Sequence, residues 1–562
     1  MIVGIDLGTT NSLIGVFEKG STTLIPNVFG QNLTPSVVGI SDEGEVLIGA
    51  AATDRLVTNP QLTASAFKRS MGTSQTFRLG SQKFRPEELS ALVIKSLVRD
   101  AEIYLGRRVT EAVISVPAYF NDTQRNATRA AAEIAGLKVE RLINEPTAAA
   151  LAYGLHDDKR ENTFLVFDVG GGTFDVSVIE LFEGVVEVRA SAGDNYLGGE
   201  DFLDVLEAIW HEKTKVGELS STLKAQLRQA AEQAKRCLNR DQVVSFGIQR
   251  NDSFIQCSIS PSEYESRIAP LLMRLRRPVE LALRDARIAV ESLDEVVLVG
   301  GATRMTSIQR LVAKMFGKLP LRHIEPDEVV ARGAAVQAGL KMRSEELDDI
   351  VLTDVCPYTL GIESSRELAP GDYAHGIMSP IIERNTLIPA SRLQTYSPIH
   401  DNQRVLSIGV YQGEARQVSN NIKLGEFEVQ LPRGNVAEET LVDVRFTYDE
   451  NGILEVIATV RNTGDEKRLV ITRNSGQMSK REIEAALKSL EKLKIHPRDQ
   501  DENIAMLNRA NRIYEQRLGY EREQIGKLID QFELILEGQD PHEIREFRLE
   551  LQHCLNALEF RE

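Results

Sequence analysis

The stretch from Asn162 to Leu181 constrains the fold more than any other part of the chain. An apolar run, Phe164-Leu165-Val166-Phe167, enters Asp168. Gly170-Gly171-Gly172-Thr173 follows, then Asp175 and a second alternation through Val176, Val178 and Leu181. Two β-rich runs separated by glycines read as a hairpin. Three consecutive glycines let the backbone turn sharply and approach a ligand with no Cβ in the way. Such a turn presents N–H groups to an anion, and Thr173 adds a hydroxyl. The flanking carboxylates would repel a bare phosphate unless a divalent cation stood between them. Mg²⁺ fits that place, because it binds through few carboxylates and keeps several waters. Taken alone, the stretch is equally well an ordinary glycine hairpin in a sheet.

A second copy shifts the balance. Ile2-Val3-Gly4-Ile5 leads into Asp6, Gly8, Thr9 and Thr10, with Leu13-Ile14-Gly15-Val16 returning. The echo continues: Glu111 to Pro117 resembles Glu295 to Gly300, and Glu145-Pro146 resembles Glu325-Pro326, each Glu-Pro pair opening an alanine-rich helix. The copies lie roughly 180 residues apart, and repetition on that scale indicates two related α/β lobes. Two phosphate hairpins, one per lobe, would face each other across a cleft. None of the glycine loops has the GxxxxGK[ST] form, so a Walker-type site is excluded.

A chain of 562 residues is too long for one core and corresponds to roughly three or four folding units. Its net charge of −16 argues against nucleic acid as a principal partner, since phosphate contacts need a basic face. No apolar run approaches the roughly 18 residues of a membrane span. MIVGIDLG enters a strand at once with no cationic leader, so no secretory signal is expected. Cys237, Cys257, Cys356 and Cys554 are scattered, indicating neither a disulfide framework nor zinc, and a reducing cytoplasm fits best.

Seven motifs, IDLGTTNS, VPAYFND, INEPTAAALAYG, FDVGGGTFDVS, LGGEDF, VLVGGATR and EPDEVVARGAAVQAG, stand in the order and context of the DnaK-type, seventy-kilodalton heat-shock chaperones. The chain resembles that family over nearly its whole length, most through about residue 345 and least in the last helices. The resemblance implies an α/β, actin-like two-lobed ATPase domain over residues 1–345 and an interdomain linker at 346–355. A β-sandwich peptide-binding domain at 356–475 and a short helical lid at 476–562 would follow. It implies ATP and ADP with Mg²⁺ (K⁺ as an optional addition), and extended or unfolded client polypeptides. A J-domain cochaperone is expected, a nucleotide exchange factor less firmly, and neither nucleic acid nor membrane.

Residue roles follow motif by motif. Asp6 and Asp168 would hold hydrated Mg²⁺. Gly8, Thr9, Thr10, Asn11, Gly170, Gly171, Gly172 and Thr173 would contact phosphates, a positioning role typical of phosphoryl transfer. Lys68, by type a solvated surface lysine, becomes a cation directed at the γ-phosphate. Glu145, at a helix start where dipole pairing is the ordinary reading, or Asp175 would activate water; the choice stays open. Gly198 and Gly199 form a glycine turn before a helix, suited to a phosphate. Glu232, Lys235, Arg236 and Asn239, otherwise a solvated helix face, match the adenosine-binding helix, with Asn239 replacing the usual small hydroxyl residue. Gly300, Gly301, Arg304 and Asp327 would close that pocket. Asp122, after the strand that ends at Pro117, reads as the N-cap of the next helix. Pro117, otherwise a rigid turn, is implied as a switch linked to Lys68, Arg125 and Glu145, while Arg141 and Asp354 match the J-domain docking region.

From Glu345 to Val355 runs EELDDIVLTDV, an edge-strand pattern that resembles the family linker, with Thr353 where leucine is usual. Alternations such as Leu406-Ser-Ile408-Gly-Val410 and Val442-Asp-Val444-Arg-Phe446 then read as period-2 strands, joined at Asp449-Glu-Asn-Gly452 by a hairpin turn and making a sandwich. Family peptide positions fall on Ile362, Tyr396, Leu406 and Ile408, each also readable as core, and the arch over the peptide falls on Ser365 and Ile399. Ser479-Lys-Arg-Glu482 is a capping box, and amphipathic stretches follow after His496-Pro497, Ile504 to Leu536 and Asp540 onward. The short segment Gly72–Phe84, the altered arch and the abbreviated lid resemble the specialised HscC-type branch, hence a regulatory chaperone with narrow clients as the alternative to a general one. A sugar kinase of the same superfamily would not need the sandwich and lid. A non-catalytic scaffold would not need Asp6, Lys68, Glu145, Asp168, Thr173 and Asp175 together.

Overall fold

In the computed structural model, the hairpin expected at Asn162–Leu181 is the centre of a sheet. Strand Asn162–Val169 pairs antiparallel with Phe174–Phe182, Asp168 opposite Asp175, and parallel with Glu295–Val299 along its other side. Beyond Phe174–Phe182 lies Val185–Asp194, which pairs parallel with Val351–Val355. The N-terminal copy repeats the pattern. Ile2–Asp6 pairs antiparallel with Asn11–Glu18 and parallel with Glu111–Val116, and Glu111–Val116 pairs parallel with Lys138–Asn144. Strands Ile2–Asp6 and Asn162–Val169 are buried along nearly their whole length, which explains their continuous apolar runs. The structure describes residues 1–41, 44–154, 162–182, 185–250, 253–320, 325–342, 351–369, 372–449, 453–472, 501–517, 519–538 and 541–559. The chain divides into two units, Met1–Pro357 and Tyr358–Glu562.

The first unit has two main cores. One gathers Val3, Ile5, Phe67, Leu97 and Ile114; the other gathers Phe167, Phe202, Leu206, Trp210 and Val296. The repeated alanine-rich helices, Glu145–Gly154 and Val329–Lys341, cross where side chains are smallest. A Cβ on Gly333 would lie 1.7 Å from the Ala148 carbonyl oxygen, and one on Gly4 would lie 2.2 Å from the Ala335 nitrogen. Small residues let the backbones approach, and no larger side chain fits.

Three local readings change. The helix at Glu145 begins at the glutamate itself, one residue before the proline. The second copy does not begin its helix at Pro326. Residues 326–328 form a turn, the Pro326 carbonyl accepts from Gly300 N at 3.1 Å, and the helix starts at Val329. The cap before Asp122–Ile134 is Asn121, not Asp122: Asn121 Oδ1 accepts from Gln124 N at 3.0 Å and Gln124 reciprocates. The first-unit strand Val351–Val355 occupies the second half of the expected linker, and residues 346–350 lie outside the described residues. Segment 72–84 ends in a short hairpin, Phe77–Leu79 with Gln82–Phe84.

In the second unit, Asp372–Ile382, Leu360–Ala369, Val405–Gln412 and Ile422–Gln430 form one antiparallel sheet. Ala390–Tyr396, Val442–Tyr448, Ile453–Val460 and Glu466–Thr472 form another. Val442, Val444, Phe446 and Tyr448 are buried at alternate positions, as the period-2 pattern requires. The turn residues 450–452 lie outside the described residues, but the strands either side of them pair. Helices Asp501–Gln516, Gly519–Gly538 and Pro541–Glu559 follow, sharing a core of Ile513, Phe532, Phe547 and Leu551. The stretch read as continuous from Ile504 to Leu536 is thus two helices, broken before Gly519, a poor helix former. The capping box at Ser479, its helix and His496-Pro497 lie outside the described residues. No helix among the described residues is long and apolar enough to cross a membrane.

Candidate functional site

Both glycine turns sit at strand ends and touch. A Cβ on Gly171 would lie 2.3 Å from Thr10 Oγ1, and one on Gly8 would lie 2.0 Å from the Asn11 carbonyl. Gly170 N donates to the Thr173 carbonyl at 3.0 Å, closing the second turn. Between the turns stand three buried carboxylates, Glu145, Asp168 and Asp175, and the half-buried Asp6, with the buried ammonium of Lys68. Lys68 Nζ lies 2.7 Å from Glu145 Oε1 and 5.7 Å from the Phe120 ring centroid. Lys68 is aimed by the one-turn helix Phe67–Ser70, whose preceding residue, Ala66, has φ +54°. A left-handed alanine is a strained choice, and such strain concentrates at functional sites.

Burial and like charge dominate the electrostatics. Asp6 is pushed up to about 7 by burial and then by Glu145, while Lys68 and a 2.6 Å bond from Ser115 Oγ pull the other way. Asp175 rises to about 7 through burial and Glu145, against a backbone bond from Tyr119 N at 2.9 Å. Asp168 is raised well above the ordinary carboxylate range by burial, Glu145, Asp175 and Asp6. One ammonium does not balance four carboxylates, so the cluster suits an added cation. Among the described residues no group of three or more His, Cys, Asp or Glu side chains could hold a metal by itself. An ion taken by two aspartates and completed by water, the manner of Mg²⁺, matches that donor set.

The third glycine turn supports the second. Gly199 N donates to the Gly170 carbonyl at 2.9 Å and Glu200 N to the Gly171 carbonyl at 2.8 Å. Gly198 N is taken by Asp201 Oδ2 at 2.8 Å. These amides are engaged within the protein, so Gly198 and Gly199 brace the hairpin and do not present free donors.

The expected nucleoside residues form a rim beside this turn. Lys235 Nζ donates to the Gly199 carbonyl at 3.2 Å and pairs with Glu232 at 2.6 Å; Arg236 pairs with Glu232 at 2.9 Å. Arg304 bridges Asp327 and Glu325, both at 2.7 Å. Gly301 lies so near Asp327 that a Cβ would meet Oδ1 at 2.8 Å, and Gly300 takes φ +82° with Asp168 Oδ1 only 2.6 Å from its ideal Cβ. Asn239 Oδ1 accepts from Thr306 N at 3.0 Å, capping helix Thr306–Phe316. Lys235, Asn239, Met305, Tyr264 and Arg310 line an adjoining cleft of about 230 Å³.

The expected switch residues lie on one hydrogen-bonded chain. Arg125 donates to the carbonyls of Ala118 and Phe120, just after Pro117, and to Asn144 Oδ1 at 2.6 Å; Asn144 Nδ2 then donates to Asp354 Oδ2 at 2.7 Å. Arg141 lies 3.5 Å from Gln337 Oε1. Sequence reading missed Ser115, Tyr119 and Asn144. Tyr119 and Asn144 lie inside the quoted motifs VPAYFND and INEPTAAALAYG, and Ser115 stands just before the first of them, which is the signal that could have found them.

Of the expected peptide residues, Ile362 and Ile408 are buried, and Leu406, Tyr396, Ile399 and Ser365 are half-buried or more exposed. Ile362 stands opposite Ser379 and Val410. Tyr396 Oη bonds Ser379 Oγ at 2.9 Å, and burial pushes its phenol up to about 12. Ser365 Oγ bonds His375 Nδ1 at 2.7 Å. Tyr373 lies between His375 and His400, its ring centroid 6.5 and 6.2 Å from theirs. Ile399 N donates to Gln403 Oε1 at 3.2 Å.

The first unit, a duplicated α/β fold whose acidic–glycine hairpins meet beside clustered carboxylates, and the second, with its two antiparallel sheets and three helices, together define the class of protein. The family described as Hsp70 protein matches this chain over residues 2–78 and 73–534, and the chain belongs to that family. It is 40% identical over 528 residues, 91% of this chain and 86% of the relative, to the chaperone protein DnaK of Mycoplasmopsis agalactiae (strain NCTC 10123 / CIP 59.7 / PG2). Membership makes it an ATP-binding chaperone homologue in a family of ATPases. Neither match separates the HscC-type branch from the rest of the family.

Proposed function

We propose that this chain hydrolyses ATP at the Asp6–Asp168 cluster and uses the nucleotide state to control how its β-sandwich unit holds extended apolar polypeptide. The convergence of Lys68, Glu145, Asp6, Asp168 and Asp175 between two touching glycine turns carries the reading. Mg²⁺ held by Asp6 and Asp168 would supply neutralising charge to a polyphosphate, with K⁺ as an optional companion. Thr9, Thr10, Asn11, Thr173 and the amides of Gly8 and Gly170 to Gly172 would orient phosphate oxygens. Lys68 Nζ would stabilise charge developing on the terminal phosphoryl group. Glu145 or Asp175 would orient or deprotonate water; with Glu145 bound to Lys68 and Asp175 to Tyr119 N, both are fixed in direction. Glu232, Lys235, Arg236, Asn239, Gly300, Gly301, Arg304 and Asp327 would hold the nucleoside, with Gly198 and Gly199 acting through the hairpin they brace.

The chain from Pro117 through Arg125 and Asn144 to Asp354 supports a two-state element biased by the γ-phosphate, with Arg141 and Asp354 offered to a J-domain partner. Ile362, Ser365, Tyr396, Ile399, Leu406 and Ile408 would contact client peptide. A specialised regulatory chaperone with narrow clients is the alternative to a general one, and the polar Ser365 in the arch is the feature that suggests it. A cytoplasmic setting and an exchange factor belong to the same proposal. The deciding test measures release of a fluorescent apolar peptide from the full chain: release must be faster with ATP than with ADP. Equal rates, or unchanged ATP turnover in Lys68→Ala and Thr173→Ala, would refute it.

A further inference from the structure

The two cores of the first unit are bridged beside the glycine turns by an ion pair between residues that the proposed chemistry does not use. Phe67 is buried in the core around Ile5, and Phe202 in the core around Phe167. Arg69 and Asp201 stand close to those anchors, on a one-turn helix and on the first turn of helix Gly199–Thr214. Arg69 Nη2 donates to Asp201 Oδ1 at 3.1 Å and Oδ2 at 3.2 Å, across 132 positions of sequence. Both side chains are about four-fifths covered, at 22% and 19% exposure, so the pair is screened less than a surface bridge.

Position gives this pair its meaning. A Cβ on Gly172 would lie 2.6 Å from Arg69 Cγ and 2.8 Å from Cδ. The aliphatic stem of Arg69 therefore lies directly over the hairpin turn. Asp201 also accepts from Gly198 N, and Gly198 in turn packs on Gly172, where a Cβ would meet the Gly172 nitrogen at 2.5 Å. Arg69, Gly172, Gly198 and Asp201 thus make a closed ring that spans both cores. Widening the cleft between Asp6 and Asp168 on this side requires the Arg69–Asp201 bond to break.

We propose that Arg69 and Asp201 are positioning residues, a latch over the phosphate turn that sets how fast a bound nucleotide leaves. This rests on the nucleotide reading above. Full-length protein loaded with a fluorescent ADP analogue and magnesium is chased with excess ADP in a stopped-flow instrument. Arg69→Gln and Asp201→Asn should each speed release by about threefold to thirtyfold, and the double variant should be no faster than either alone, as expected for one coupled contact. Asp201→Asn keeps an acceptor for Gly198 N, so the variant tests the latch and not the cap. Arg69→Lys, which restores charge without the fork, should recover part of the slow release. Single-turnover cleavage of prebound ATP should stay within about twofold in Asp201→Asn, a split that general loss of structure would not produce. Release rates unchanged in both single variants, or additive in the double, would overturn the latch. Absence of ADP binding in the unmodified chain would instead remove the nucleotide reading and this inference with it.

Discussion

At the scale of single residues, the cluster is governed by how few cations it contains. Among the described residues Lys68 is the one ammonium hydrogen-bonded within it, and its bond to Glu145 is buried. The two candidates for activating water separate on substitution. Glu145→Gln breaks the ion pair, whereas Asp175→Asn keeps an acceptor for Tyr119 N and removes a charge that repels Asp168. Whichever carboxylate acts as base should lose about 10²–10⁴ in single-turnover rate when made an amide. Rapid-quench cleavage of ATP with both variants decides, and comparable modest losses would leave neither as base. In the second unit Tyr396 offers a pH test. Its phenol is raised to about 12 by burial, against roughly 10 in an unfolded chain. Between those values the folded state keeps a proton that the unfolded state has released, so stability falls as pH rises from about 10 to about 12 and is unaffected below. Tyr396→Phe should show a shallower loss over that window in denaturant titrations.

At the scale of elements, the helix crossing is the most demanding contact. The alanine-rich composition of Glu145–Gly154 and Val329–Lys341 was legible in the chain, but neither their crossing nor the residue that stands at it was. Gly333 stands there, with no room for a methyl group against the Ala148 carbonyl. Gly333→Ala would raise helix propensity, yet overpacking should dominate and destabilise the first unit by about 1–3 kcal/mol. A thermal melt compared with Ala334→Gly, which should lose about 1 kcal/mol through propensity, checks the sign: a stabilised Gly333→Ala would contradict the crossing.

At the scale of the whole molecule, the two units predict separable behaviour. Scanning calorimetry should resolve a transition for residues 1–357 that ATP or ADP raises, by about 2.7 kcal/mol at a hundredfold excess over Kd, while the transition of the second unit moves less. A single transition insensitive to nucleotide would count against the site. Coupling is tested at Asn144, which receives Arg125 and donates to Asp354. Asn144→Leu should leave nucleotide affinity within about threefold and reduce the ATP-dependent acceleration of peptide release by about tenfold, within the usual range of coupling energies. Full retention of the acceleration would place the coupling elsewhere.

The hairpins, their duplication and the change to period-2 strands near residue 355 were legible in the chain, because local geometry writes them in neighbouring residues: glycine where backbones turn, alternation where one face is buried. Seven ordered motifs were equally readable. What the tertiary structure alone decided is which distant groups meet. Asn121 rather than Asp122 became the cap, Gly198 and Gly199 gave their amides to Asp201 and Gly170 respectively, and Ser115, Tyr119 and Asn144 joined the site. Such partnerships depend on register and packing between segments far apart in sequence, and no local pattern carries that information.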